Sequence, residues 1–323
     1  MARMASELVP PERGDVALPL VEGGVKVGAH ENTDGRGRLF PLHPGALARG
    51  EIREPLPELG TWRPGNALEW LGALFGCAPR TWLRRIPGRE TFLWPGAQGD
   101  EPLVVKRFTR NPSSGSSWFS RDDRTPARRE FENLGALGEL GFAVPRPIAW
   151  FEERRSLLGP LSPRSAVVME KVEHEESLRR RLEREPAQAR IWIEPLVALV
   201  ARLHAAGWHH RDLYLGHVAL ARDDRLVLLD LGRAEREERP RRRWFVKDLA
   251  ALLHSCPSAV NVRARLAFLA RYLDERAIVD RRERRAWARA VRRKARRIAS
   301  HAPRYVDPRS VEGARPADGE SAR

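Results

Sequence analysis

The chain has 323 residues, with 58 Lys and Arg against 43 Asp and Glu and a net charge of +15 at pH 7. That length, with 42% hydrophobic residues, permits one two-lobed domain or two ordinary ones around a real core. The basic balance points to anionic partners such as nucleic acid, lipid headgroups or phosphorylated substrates, without choosing among them. Two cysteines, Cys77 and Cys256, stand far apart with no second ligand at metal spacing, so neither a disulfide framework nor a structural zinc site is indicated. The opening MARMASELVPPERGD has no apolar core of signal-peptide length, and no apolar run approaches the roughly 18 residues that span a bilayer. The expected setting is the reducing cytoplasm, with at most peripheral contact with a membrane.

Residues 1–60 are rich in Gly, Pro and charge without sustained periodicity, and are expected to be poorly ordered or loosely attached. NALEWLGALFG (66–76) predicts a short helix, and TWLRRI, TFLW and PLVVKRF predict strands of an antiparallel meander. A Ser, Gly and Asp stretch from Asn111 to Pro126 interrupts the pattern. ARREFENLGALGELG then predicts a helix with Phe131, Leu134, Leu137 and Leu140 on its apolar face and Gly141 as its stop. PIAWFEE and SAVVMEK predict two further strands, giving a small lobe over 61–170.

A large lobe is expected over 171–302. It begins with a polar helix near Glu176 to Glu183 and an apolar-faced helix from about Ala187 to Ala206, with Leu196, Leu199, Val200 and Leu203 inward. In WHHRDLYLGHVALARDDRLVLLDLGRAE, two short β runs meet at a turn at Asp223 and Asp224, and a charged loop precedes the first. Such loops carry function more often than cores do. Amphipathic helices follow in RRWFVKDLAALLHS and VRARLAFLARYLD, then a basic one in RRERRAWARAVRRKARR, with ten basic residues and one acidic. Residues 303–323 are expected to be disordered.

Asp212 lies just before one short strand and Asp230 at the C-terminal end of the next, so the hairpin delivers two carboxylates to one edge. Phosphoryl transfer needs a group to position or deprotonate the acceptor hydroxyl, Mg²⁺ bridging the phosphates, and cations on the nucleotide. Asp212 suits the first task and Asp230 the second.

On these residues the chain resembles the protein-kinase-like superfamily. His210-Arg211-Asp212 looks like the HRD of the catalytic loop, and Asp230-Leu231-Gly232 looks like the DFG metal motif. Lys106 in VVKRF corresponds to the lysine on the α and β phosphates, and Glu130 to the helix glutamate that pairs with it. The resemblance implies a two-lobed α+β fold with a small antiparallel β lobe and a mainly helical large lobe. It also implies a hinge at Met169-Glu170-Lys171 that receives adenine through backbone groups.

Five positions after Asp212, protein kinases have an Asn for the second Mg²⁺; here His217 stands, either as a metal ligand or as a structural residue. HRDLYLGH, DLGRAE and RWFVKDLAALL together are similar to the lipopolysaccharide core kinases, the Kdo kinase and heptose kinase (WaaP-like) family, where this His and a KDLA helix are usual. That resemblance covers roughly 85–275. It implies ATP- and Mg²⁺-dependent phosphorylation of a Kdo or heptose hydroxyl on the lipid A and inner-core glycolipid, at the cytoplasmic face of the inner membrane. Asp248 matches the helix aspartate that braces the catalytic loop. Arg211 and Arg233 either neutralise carboxylates or meet an anionic substrate.

The nucleotide-covering loop departs from the pattern, since Gly88 in IPGRETFLW is the one glycine where G-x-G-x-x-G is expected. Backbone N–H groups can cover phosphates without that motif, whereas an inactive pseudokinase scaffold would show the same loss. A kinase acting on protein or a small metabolite is the other enzymatic alternative. The basic helix at 281–297 reads either as a solvated surface or as a contact for anionic lipid or glycolipid; nucleic acid ranks below both, because no reader motif accompanies it.

Overall fold

The computed structural model describes residues 48–53, 67–77, 79, 81–94, 101–109, 124–153 and 164–300. The expected disordered tail and the expected loose segment up to residue 47 lie outside them.

Strands β1 (Ala48–Ile52), β2 (Thr81–Ile86), β3 (Arg89–Trp94), β4 (Leu103–Phe108), β5 (Pro147–Glu153) and β6 (Ser165–Glu170) form one antiparallel sheet in the order β1-β5-β6-β4-β3-β2. Helices α1 (Ala67–Gly76) and α2 (Pro126–Glu139) pack against it. Trp70, Leu71, Leu74 and Phe75 of α1 share one core with Phe92, Val105, Phe151 and Val168. Phe131, Leu134 and Leu137 of α2 share another with Phe108, Trp150 and Val167. Alternate residues of a strand point to opposite faces, so β5 is buried along its whole length. Arg107 fastens α1 to the sheet by donating to the carbonyls of Leu74 and Phe75, whose partners the helix end no longer supplies.

Part of the segment expected to be loose is therefore structured, because β1 pairs with β5 from Ala48 to Ile52. ARGEI carries no apolar alternation; its position at the sheet edge rests on backbone pairing, which composition does not reveal. Thr125 caps α2, accepting from the Arg128 N–H at 3.4 Å, and Pro126 occupies its first turn. Gly141 stops the helix with φ of 75°. Leu140 does not extend the apolar face: it sits at the C-cap and is 44% exposed.

Beyond Glu170 the chain is mainly helical, with β7 (His174–Ser177), α3 (Leu178–Arg184), α4 (Ile193–Ala205), β8 (Trp208–His209), β9 (Val218–Ala221), β10 (Leu226–Leu228), β11 (Glu235–Arg236), α5 (Arg242–Ser255), α6 (Val262–Glu275) and α7 (Arg281–Ala299). The polar helix expected near Glu176 to Glu183 starts as a strand, because HEES pairs with β9 before Ser177 caps α3. The helix expected from Ala187 is divided: a 3₁₀ turn covers Pro186–Arg190, and the α-helix starts only at Ile193, after buried Trp192. Leu196, Val200 and Leu203 point inward as expected, with Leu199 part-buried against the same core.

The apolar face of α7 belongs to this core. Trp287, Val291 and Ala295 are buried, Trp287 meets Tyr272 edge-on, and α7 packs along α5. What α7 turns outward is arginine. Truncating Trp287 should cost the fold about 3 kcal/mol, whereas Arg292→Ala should change it by less than about 0.5 kcal/mol. Urea denaturation of the two variants measures both, and a Trp287→Ala protein as stable as wild type would refute this placement.

Candidate active site

The antiparallel register places Arg89, Thr91, Lys106 and Phe108 on one face of the sheet, since Arg89 lies opposite Phe108 and Thr91 opposite Lys106. Glu130 reaches the same place from α2. The Lys106 ammonium donates to Glu130 Oε1 in a short ion pair and to Asp230 Oδ1 at 3.2 Å. Arg89 adds a second cation at 3.4 Å from that same Asp230 oxygen. Burial alone would push the Asp230 carboxyl up, but Lys106, Arg89 and His217 together outweigh it and hold it well below the usual carboxylate range. Burial lowers Lys106 less than Asp230 and Glu130 raise it, so its ammonium stays charged. Burial pushes Glu130 up, and the neighbouring charge of Asp230 adds to this.

Asp230 adopts a left-handed conformation with φ of 57°, unusual for a residue with a side chain. The segment after it is tied down by Asn133 of α2, whose amide donates to the carbonyls of Leu231 and Ala234, both at 2.8 Å. The helix that supplies Glu130 therefore also fixes the backbone that supplies Asp230.

Asp212 sits in the loop before β9. Arg233 donates to both of its carboxylate oxygens at 3.1 and 3.0 Å, and the Lys247 ammonium lies 3.8 Å away. Burial brings the Lys247 pKa down to about 8, against the opposing charge of Asp212. His217 connects the two aspartates. Its Nδ1 lies 2.8 Å from the Asp212 carbonyl, which can only accept, so Nδ1 carries the proton. Nε2 then faces Asp230 Oδ2 at 3.7 Å.

The loop itself is strained, with φ of 70° at Arg211, and Asp248 over-determines it. Asp248 is fully buried on α5 and accepts from the backbone N–H groups of His210 and Arg211, both at 2.7 Å. His204 Nε2 donates to it at 3.3 Å while His204 Nδ1 accepts from the Tyr272 hydroxyl at 2.7 Å. Burial would raise the Asp248 pKa, but these donors hold it down; burial holds both His204 and His210 in the neutral form. The bracing role expected of Asp248 is thus a set of hydrogen bonds. Arg211 and Arg233 both meet carboxylates of the protein: Arg211 lies 2.6 Å from Glu235, and Arg233 holds Asp212.

Met169 and Glu170 end β6, and Lys171 follows where the chain leaves the sheet. Met169 is buried, the Glu170 N–H donates to the Arg146 carbonyl at 3.0 Å, and Lys171 pairs with Glu101 at 3.6 Å. Gly88, with φ of 81°, forms a tight turn with Pro87 between β2 and β3, and its carbonyl accepts from Thr109 at 3.1 Å. Among the described residues no cluster of three or more His, Cys, Asp or Glu could by itself hold a metal ion. A Mg²⁺ site built from one or two carboxylates and nucleotide phosphates needs none, and the Asp230 carboxylate fits that pattern, with His217 Nε2 beside it at 3.7 Å.

Sequence reasoning missed Arg89 and Lys247. Arg89 had a signal in the strand period, two positions from Thr91 and hence on the Lys106 face. Lys247 directly precedes Asp248, so a helix that aims Asp248 at the catalytic loop brings its neighbour close as well.

An antiparallel sheet followed by a mainly helical region, with Lys106, Glu130, Asp212 and Asp230 converging between them, defines a protein-kinase-like fold. The profile of the lipopolysaccharide kinase (Kdo/WaaP) family matches residues 102–272, more than half of the chain. The chain is 30% identical over 224 residues to the lipopolysaccharide core heptose(I) kinase WaaP of Escherichia coli, covering 64% of this chain and 79% of that one. It is 29% identical over 204 residues to the WaaP of Pseudomonas aeruginosa, covering 56% and 72%. It is also 33% identical over 133 residues to a 3-deoxy-D-manno-octulosonic acid kinase of Stenotrophomonas maltophilia, covering 41% and 51%. Among solved structures, the Cydia pomonella granulovirus kinase PK-1 aligns with a TM-score of 0.35 at 14% identity, over 55% of this chain and 59% of that one. The chain belongs to the lipopolysaccharide kinase (Kdo/WaaP) family, a kinase family that implies ATP as phosphoryl donor.

Neutral His204 and His210 set an acid limit to this architecture. In the unfolded chain both titrate near pH 6.5, so below that pH the unfolded state takes up protons that the folded state refuses. Their contribution is present above about pH 6.5 and lost as pH falls through it; those of Asp230 and Asp248 are lost only below about pH 4. Scanning calorimetry should give a Tm that already falls between about pH 7.5 and 5.5, less steeply in His204→Gln. A flat Tm over that range would show that these imidazoles are not held neutral.

Proposed function

We propose that this chain transfers the γ-phosphoryl group of ATP, with Mg²⁺, to a hydroxyl of Kdo or heptose in the lipopolysaccharide inner core. The observation that carries the reading is the convergence of Lys106, Glu130 and Asp230, linked through His217 to the Asp212 loop, in a chain of this family. Lys106, oriented by Glu130, binds the α and β phosphates. Asp230 and His217 would hold Mg²⁺, which when bound would supply positive charge against the phosphate oxygens. The Met169-Glu170-Lys171 segment receives adenine, and Gly88 offers the phosphates its one backbone N–H. Because the Glu170 N–H already serves Arg146, the adenine contacts fall to the other backbone groups there.

Asp212 orients the acceptor hydroxyl and takes its proton as the sugar oxygen bonds to the γ-phosphorus and the bond to ADP breaks. To do so it must exchange Arg233 for the hydroxyl. The Arg233 side chain is 55% exposed, so its ion pair with Asp212 is weak enough to open. An acidic sugar offers Arg233 a replacement carboxylate, while Lys247 keeps a cation beside Asp212.

The glycolipid acceptor places the reaction at the cytoplasmic face of the inner membrane. None of the described helices is long and apolar enough to cross a membrane. With its apolar face in the core, α7 offers charge alone: Arg289, Arg292, Arg293 and Arg296 line a surface cavity of about 310 Å³ suited to anionic headgroups.

The test is Mg²⁺-dependent transfer of labelled γ-phosphate to purified Kdo-lipid A or a heptosylated acceptor. Wild type should label one of them, and Asp212→Asn should be slower by about 10²- to 10⁴-fold with its Tm maintained. A folded wild type that labels neither acceptor would rule out the sugar-kinase reading.

A further inference from the structure

In a glycine-rich loop, successive peptide N–H groups wrap the nucleotide phosphates. Here Ile86 pairs with Arg89, so only Pro87 and Gly88 form the turn. Pro87 has no N–H, which leaves Gly88 as the one backbone donor the turn can offer. The Thr109 N–H fastens this turn to the end of β4 through the Gly88 carbonyl. A turn so short and so anchored cannot cover a triphosphate with its backbone.

The residue immediately after the turn faces the cleft. Arg89 shares the face of Lys106, and its guanidinium lies 3.4 Å from Asp230 Oδ1, the oxygen that Lys106 also contacts. Its side chain is 24% exposed, and its buried Nε has no hydrogen-bond partner. Two cations thus share one carboxylate oxygen. Lys106 has a second carboxylate in Glu130; for Arg89 the only carboxylate within ion-pair distance among the described residues is Asp230. When Asp230 turns to a metal ion, Arg89 needs another anion, and the phosphates that Lys106 holds are next to it.

We infer that Arg89 is a phosphate-binding residue whose guanidinium fork takes β- and γ-phosphate oxygens of the nucleotide in place of the missing glycine-rich loop. This rests on the reading of the cleft as an ATP site. Arginine suits the task because its planar fork matches two phosphate oxygens at once, where lysine offers a point charge.

Calorimetric titration of the full chain with ATP, ADP and adenosine, in the presence of Mg²⁺, tests this. Arg89→Ala should bind ATP and ADP about 10- to 100-fold more weakly, the range of a lost charge-assisted contact, and adenosine as wild type does. Arg89→Lys should fall between, and serves as the variant that keeps the cation should Arg89→Ala fold poorly. Equal affinity for ATP in wild type and both variants would overturn the inference and leave the ATP site standing. So would a loss as large for adenosine as for ATP, since Arg89 would then be supporting the fold. A wild type that binds adenosine and ATP equally weakly, or not at all, would overturn the ATP-site reading itself and this inference with it.

Discussion

The architecture turns on one buried ammonium, that of Lys106, which the sheet supplies and which Glu130 from α2 and Asp230 from the large lobe both require. Placing three charges where water is scarce is costly unless each is paired, and removing one partner from such a group leaves an uncompensated charge. Replacing all three by apolar residues would serve stability as well or better. Stability alone therefore does not account for the group. Burial pushes the Glu130 carboxyl up, while Lys106 and Arg89 hold that of Asp230 down.

The rest of the lobe structure keeps that group in register. Arg211 and Asp230 both carry positive φ, strain that persists only where surroundings dictate it. Asp248 dictates the first by accepting two backbone N–H groups, and Asn133 helps dictate the second by donating to two carbonyls after it. Each brace comes from the middle of a helix, whose position is in turn set by packing: α5 against α7, and α2 against β5 and β6. Trp287 and Phe131 thereby act on the site at a distance through rigid elements.

Much of this was legible in the sequence because its signals are local. Lys106 in an apolar strand, Glu130 on a helix with apolar residues at i+4 and i+7, and two aspartates around a short hairpin are patterns of period and spacing. In the structure Lys106 touches Glu130 and Asp230, and His217 links Asp230 to the Asp212 carbonyl. What sequence did not disclose depends on partners. Strand β1 and strand β7 have polar sequences and are strands because of the neighbours they pair with. Leu140 matched the helical period but fell just past the helix end, where the same spacing leads to solvent. The amphipathic pattern of α7 was visible, yet it cannot say whether an apolar face meets a membrane or a core; here Tyr272 and α5 cover it. Arg89 and Lys247 went unnamed because the carboxylates they meet, Asp230 and Asp212, come from elements distant in sequence.

The most direct test of the central claim is the change in Tm on adding Mg²⁺ and ATP to wild type and to Lys106→Met. A ligand that binds only the folded state stabilises it by mass action, by about 2.7 kcal/mol at one hundred times its Kd. The account predicts a clear rise in Tm for wild type and little or none for a folded Lys106→Met protein. An equal rise in both would mean that nucleotide binds without the lysine on which the site is built.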